Sequence, residues 1–208
     1  MPAMGGKQTS PYRPARHGRD HGFHPEARFF GGSIMAIAAF NDTSDGLRPE
    51  ARERGHFIAQ LDFDESGPWI PYADGVWIQP CHFNVTNGGF TVLLKAMPGA
   101  SLGVHYHTGT VRGLTLRGNW RYLEHDWVAV PGTFIYEPAG EAHTLVITEE
   151  SPEPALIFFV VEGSLVYLDK PVDGQFAAFE DGFSALALAR AYYRDSGLDT
   201  AILDRMVR

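Results

Sequence analysis

From about Trp69 onward the chain falls into short apolar runs separated by Gly, Pro and Asn. Val76–Gln79 is followed by Cys81–Val85, then by an Asn87-Gly88-Gly89 turn and the run Phe90–Met97, closed by Pro98-Gly99. Further runs cover 113–123, 127–130, 133–136, 143–148, 156–161 and 164–168. They are rich in Val, Ile, Phe, Tyr and Trp, and evenly spaced short runs of this kind predict a β-sandwich or barrel. No repeat of solenoid length and no alternation of strand with helix competes with that pattern. After Pro171 the period changes. Phe183, Leu186, Leu188, Ala189 and Tyr192 recur at helical spacing and end near Ser196-Gly197, with a second short helix expected over about 199–206. The expected organisation is a β-barrel over 49–172 and a helical segment over 173–208. The helices would pack on the barrel or on a second subunit of a dimer or tetramer.

Residues 1–48 are polar, turn-rich and aperiodic, and read as a poorly ordered extension. His17, His21 and His24 are scattered along it and do not make a site; Met35 is a candidate start. The apolar run 34–40 is too short to span a bilayer, and no cleavable h-region surrounds it, so no membrane association is expected. Acidic residues outnumber basic ones by 25 to 17, which repels phosphate backbones and excludes nucleic acid as the main partner. The single cysteine, Cys81, reads as a small buried residue in a reducing compartment, so a cytoplasmic location is expected.

The residues able to carry chemistry are concentrated between Gly99 and His143. His105 and His107 are two apart, so on a strand both imidazoles point to one face, already aimed to chelate a metal. His143 is a third candidate ligand. Trp120 and Tyr122 share a face by the same alternation, and either line an aromatic pocket or fill the barrel. Glu137 ends an apolar run beside Pro138. It either meets solvent or faces the interior, where it could act as general base. Arg112 and Arg117 either anchor a phenolate or solvate a rim, and His82 reads as core or rim with a chance of substrate contact. His125, between Glu124 and Asp126, reads as part of a solvated turn, and His56 as surface.

Two spaced motifs then stand out: Gly99, His105, His107, Val111 and Gly118, followed by Gly132, Pro138, Gly140, His143 and Ile147. In order and spacing they resemble the two motifs of the cupin superfamily. The resemblance implies an all-β, jelly-roll-like cupin barrel holding one divalent metal through His105, His107 and His143. Val111 stands where the family has Glu, and Ile147 where Asn is usual. Three neutral ligands would leave at least two open positions and favour an anionic bidentate substrate.

Within that superfamily, His-Tyr-His-Thr-Gly-Thr-Val (105–111), Gly-Asn-Trp-Arg-Tyr-Leu-Glu (118–124) and Glu-Pro-Ala-Gly-Glu-Ala-His-Thr (137–144) look most like the 2,4'-dihydroxyacetophenone dioxygenases. That likeness implies Fe(II), although Zn, Ni or Cu also suit three histidines. It implies an aromatic α-hydroxyketone cleaved with O₂ to 4-hydroxybenzoate and formate. Glu137 and Tyr122 would be catalytic, and Trp120, Val111, Arg112 and His82 would line the substrate pocket. The alternatives are a β-diketone-cleaving three-histidine dioxygenase, or a non-enzymatic zinc cupin related to the anti-sigma factor ChrR. A regulatory cupin of that kind follows a helical sigma-binding domain, for which residues 1–48 lack length and periodicity, so the enzyme is the expectation.

Overall fold

The computed structural model describes residues 61, 63 and 66–208. The expected extension over 1–48, with its histidines and Met35, and His56 lie outside the described residues. Eleven strands follow one another: β1 (Ile70–Ala73), β2 (Val76–Phe83), β3 (Phe90–Ala96), β4 (His105–His107), β5 (Val111–Arg117), β6 (Trp120–Tyr122), β7 (Phe134–Glu137), β8 (Leu145–Ile147), β9 (Ala155–Val161), β10 (Leu165–Leu168) and β11 (Phe176–Glu180). Two helices close the chain, α1 (Gly182–Asp195) and α2 (Ala201–Asp204). One wall is a six-stranded antiparallel sheet in the order β1-β2-β3-β9-β5-β7. The other is formed by β11-β10-β4 and by the β6-β8 pair.

Alternation decides what fills the space between the walls. In β3, Phe90, Val92, Leu94 and Ala96 face inward, opposite Val161, Phe159, Ile157 and Ala155 of β9. Val111, Gly113 and Thr115 of β5 continue the same rows. Gly113 is required there, because a Cβ would sit 2.7 Å from the Phe159 ring and 2.8 Å from Ile135. Gly118 is required at the turn into β6, where φ is +69° and a Cβ would meet the Ala155 backbone at 2.5 Å. Each fully buried Leu, Ile or Phe in these rows contributes roughly 1.5–3 kcal/mol. The opposite face of the large sheet carries a separate buried cluster of Trp69, Cys81, Leu93 and Leu156.

The segment after 172 opens with a strand where helix was expected. Phe176–Glu180 extends the second wall because β10 offers it an unpaired edge, with Leu165 opposite Glu180 and Val166 opposite Phe179. Helix begins only at Gly182, after Asp181 caps it through the amides of Phe183 and Ser184, while Ser184 Oγ accepts from the Asp181 amide. Ala185, Leu186, Ala189 and Tyr193 of α1 and Leu203 of α2 join the same core as the barrel rows. The last residues then run beside β2: the Arg208 amide donates to the Phe83 carbonyl, and the Val85 amide to that of Arg208. Among the described residues no helix is long and apolar enough to cross a membrane.

Glu180 ends β11 with its carboxyl largely buried against Tyr72, whose hydroxyl meets that of Tyr167 at 2.7 Å. Burial, reinforced by the charge of Asp181, pushes the Glu180 carboxyl up to about 7, although the Tyr72 hydrogen bond opposes the shift. Folded Glu180 therefore holds its proton more tightly than in the unfolded chain. Its protonation favours folding at low pH, and that contribution is lost as pH rises from the ordinary 4.5 through about 7. Glu180→Gln, which cannot ionise, is expected to stabilise the protein by something like 2–3 kcal/mol near pH 8 and by almost nothing near pH 4. Urea denaturation at the two pH values measures this, and equal effects at both would contradict it.

Candidate metal centre

Strand β4 places His105 and His107 on its buried face, with Tyr106 between them pointing away. His143 arrives from the segment before β8 and pairs with His105 as an isolated antiparallel bridge. The His105 amide donates to the His143 carbonyl at 3.0 Å, and the return bond is 2.9 Å. The turn through Pro138 and Gly140 is fastened to the same strand, since the Gly140 amide donates to the His107 carbonyl. Gly140 has φ +88°, a conformation that an L side chain rarely adopts. Backbone pairing thus gathers the three imidazoles, with ring centroids 4.9–5.4 Å apart and one nitrogen of each within 4.8 Å of the others.

All three rings are buried, and burial holds His105 and His143 as neutral electron-pair donors. Burial pulls His105 down to about 3, and its Nδ1 lies 2.8 Å from the Gly103 carbonyl. A proton on Nδ1 for that bond leaves Nε2 bare. Burial also lowers His143, against the opposing charge of Glu137. His143 Nε2 and His107 Nδ1 have no hydrogen-bond partner. An unpartnered buried nitrogen such as His143 Nε2 costs free energy unless something compensates it, and a divalent cation does so in a cluster of this composition. The three histidines could hold one metal ion.

Glu137, at the inner end of β7 and only 3% exposed, completes the cluster. Its Oε1 accepts a 2.5 Å hydrogen bond from the Tyr122 hydroxyl. Its Oε2 lies 3.2 Å from His107 Nε2 and 3.4 Å from His143 Nε2, and has no hydrogen-bond partner. Burial raises the Glu137 carboxyl, but His107, Tyr122 and His143 outweigh it and hold the group below its ordinary value. Tyr122 also lies flat on the His143 ring, 3.9 Å between centroids and 9° between planes. Burial, and after it the Glu137 charge, keeps the Tyr122 hydroxyl protonated well beyond its usual range.

Two voids meet this cluster. Inside the barrel is an apolar cavity of about 40 Å³ walled by residues such as Val92, Leu94, Leu102, Val111 and Phe159. That is room for about three water molecules. On the other side is an open groove of about 350 Å³ lined by His125, Trp127, Phe134, Tyr136 and Glu141, reaching His143. Tyr122 and Glu137 line both.

Other residues singled out in the sequence are placed differently. Trp120 lies behind the cavity wall, donating to Thr115 Oγ1 at 2.8 Å and packing against Phe159. Arg112 lines neither void: alternation in β5 turns it outward when Val111 turns inward, and it pairs with Glu162 at 3.0 Å. Arg117 is likewise on the surface, bonded to the Phe63 carbonyl. His82 follows a register shift in β2 and lines neither void. Cys81 is buried, and burial pushes its thiol up to about 12, which leaves it unreactive at neutral pH. His125 is more than a solvated turn, because it pairs with Glu141 at 2.9 Å and stacks on Trp127 in the groove wall. The only sequence signal for that groove was the aromatic content around Trp127.

A two-walled antiparallel barrel with converging histidines on its inner face is the architecture of a cupin. Residues 61–166 match the ChrR cupin-like domain family, and the chain belongs to that family. Among solved structures, an RmlC-like cupin protein from Ralstonia eutropha JMP134 is 32% identical, with a TM-score of 0.61, covering 69% of this chain and 91% of that one. A protein of unknown function with a cupin-like fold from the same organism is 26% identical, with a TM-score of 0.56 over 59% and 75%. An acetylacetone dioxygenase from Acinetobacter johnsonii shares the fold at 16% identity and a TM-score of 0.56, over 66% and 95%. No curated protein sequence matches.

Replacing His105, His107 or His143 by Ala is expected to remove most bound metal while the circular dichroism of the barrel is kept, because a set of this size has no spare ligand. Elemental analysis of protein purified under nitrogen measures it. A variant that retains a full metal equivalent removes that histidine from the set.

Proposed function

We propose that this protein is a metal-dependent dioxygenase that uses O₂ to cleave a C–C bond in a small aromatic α-hydroxyketone. The observation that carries the reading is the three-histidine cluster facing an apolar cavity and bordered by an aromatic groove. With 2,4'-dihydroxyacetophenone as the type substrate, addition of one O₂ gives 4-hydroxybenzoate and formate with all atoms accounted for. Fe(II) held by His105, His107 and His143 would supply a Lewis acid for the ketone oxygen and the redox chemistry that O₂ requires. Zn, Ni and Cu suit the same donors, so the metal is assigned by activity and not by affinity.

The chain's own residues supply the rest. The groove has the volume of an ordinary small-ligand site, and its Trp127 and Tyr136 rings offer faces on which an aryl group can lie. The ketone end then points toward His143 and Glu137. Glu137 Oε2 accepts the substrate hydroxyl proton, and the Tyr122 hydroxyl fixes Oε1 so that Oε2 stays aimed.

The small cavity favours a second reading, cleavage of a β-diketone, since about 40 Å³ inside the barrel gives an aromatic ring no space there. The two are separated by loading the protein with Fe(II) and following O₂ uptake with 2,4'-dihydroxyacetophenone and with acetylacetone. Stoichiometric 4-hydroxybenzoate and formate from the first is the expected result. Trp127→Ala is then expected to raise KM for the aromatic ketone by about tenfold, the scale of one lost aromatic contact. Iron-loaded protein that consumes no O₂ with either compound overturns the dioxygenase reading and leaves a zinc-binding regulatory cupin.

A further inference from the structure

The carboxylate that the first motif lacks at Val111 returns from the neighbouring strand. In the β5-β7 pairing, Val111 is the cross-strand partner of Glu137. Directly opposed residues of an antiparallel pair project to the same face, about 4.5–5.5 Å apart. Both are buried and both line the cavity. A glutamate at 137 therefore brings its carboxylate to the region that one at 111 would reach, but from the other side of the ladder.

The atomic distances agree with that placement. Donor atoms each about 2.1 Å from a common cation lie about 3.0 Å apart at right angles and about 3.4 Å apart at tetrahedral angles. Glu137 Oε2 lies 3.2 Å from His107 Nε2 and 3.4 Å from His143 Nε2. It makes no hydrogen bond, and neither does His143 Nε2. A buried carboxylate oxygen and a buried imidazole nitrogen 3.4 Å apart, with no hydrogen bond between them, stand at the spacing of two ligands of one cation. The remaining oxygen is already occupied by the Tyr122 hydroxyl, and Tyr122 also stacks on His143. That is how outer residues orient metal ligands.

We propose that Glu137 is the fourth protein ligand of the metal centre, through Oε2, with Tyr122 as its positioning residue. The proposal rests on the three-histidine metal reading and deepens it. The centre then has three imidazoles and one carboxylate, as in a cupin with an ordinary first motif, but with the carboxylate carried by β7. The same oxygen serves as proton acceptor only after a chelating substrate has taken its place.

The test is metal binding, read without turnover. Wild type, Glu137→Gln, the double variant Val111→Glu/Glu137→Gln and His143→Ala are titrated with Co(II) and Zn(II) against a chelator. The visible cobalt spectrum is recorded, and thermal melts check folding. The wild type is also crystallised with Zn(II). The expected metal–Oε2 distance is about 2.0–2.2 Å. Glu137→Gln is expected to bind about a hundredfold more weakly with an altered cobalt spectrum, and the carboxylate restored at 111 to recover most of that loss. A purely orienting carboxylate would not be replaceable from another strand, so recovery separates the two roles. A metal–Oε2 distance beyond about 3 Å overturns the proposal. So does a Glu137→Gln variant with wild-type affinity and spectrum. Wild-type protein that binds neither metal overturns the three-histidine reading instead. Should no Glu137 variant fold, the crystallographic distance decides.

Discussion

The two backbone hydrogen bonds between His105 and His143 are the contact on which the rest of the site depends. They join β4, which hydrogen-bonds to β10, to the segment that runs into β8, and so make one continuous second wall from two smaller sheets. The same two bonds bring His143 beside the His105/His107 pair. Closing the barrel and assembling the donors are therefore one event. A residue change that slipped this bridge by one position would turn His143 out of the interior, because side chains alternate with period two. The Gly140 bond to His107 guards against such a slip by anchoring the preceding turn to the same strand.

Gathering these groups is unfavourable in itself. Three imidazoles and a carboxylate lie within an otherwise apolar interior, where desolvated polar groups each cost a few kcal/mol unless they are satisfied. Only part of that cost is offset within the chain: His105 by the Gly103 carbonyl, and Glu137 Oε1 by Tyr122. Glu137 Oε2 and His143 Nε2 face each other at 3.4 Å with no hydrogen bond to either. An interior of this kind links metal binding to folding, since the unfolded chain offers no such gathered set of donors. The apolar rows of β3, β5 and β9 make that tolerable by supplying a rigid, close-packed frame around the site.

Much of the fold and of the histidine set was legible in the sequence, because each signal was local. Period-two spacing put His105 and His107 on one face, and runs between Gly and Pro marked most of the strands. Alternation also contained the placement of Arg112: once Val111 faces inward, its neighbour faces out. What could not be read were relations across strands. Nothing local pairs Val111 with Glu137; that register is set by turn lengths and by the packing of the whole sheet. The strand at 176–180 was hidden for a similar reason, since its partner β10 and not its own composition makes it a strand. The groove of His125, Trp127 and Glu141 is built from segments that approach one another only once the barrel is closed.

The charge of the centre follows from the Val111–Glu137 exchange and bears on what it can bind. Three neutral imidazoles alone leave a divalent charge uncompensated and attract an anionic chelate; a carboxylate in the set removes half of that attraction. Glu137 differs from a glutamate at 111 in what holds it. Its strand is the outermost of the six-stranded sheet, bonded on one side only, and its other oxygen is tied to a hydroxyl and not to a charged partner. A ligand at the end of an edge strand is held less rigidly than one in the middle of a sheet, because half of its strand's backbone groups have no ladder to keep them in place. The groove opens along that same strand, past Phe134 and Tyr136. The side from which a substrate would approach is thus the side on which the carboxylate is most easily displaced, and a chelating anion entering there can take the place of the negative charge it releases.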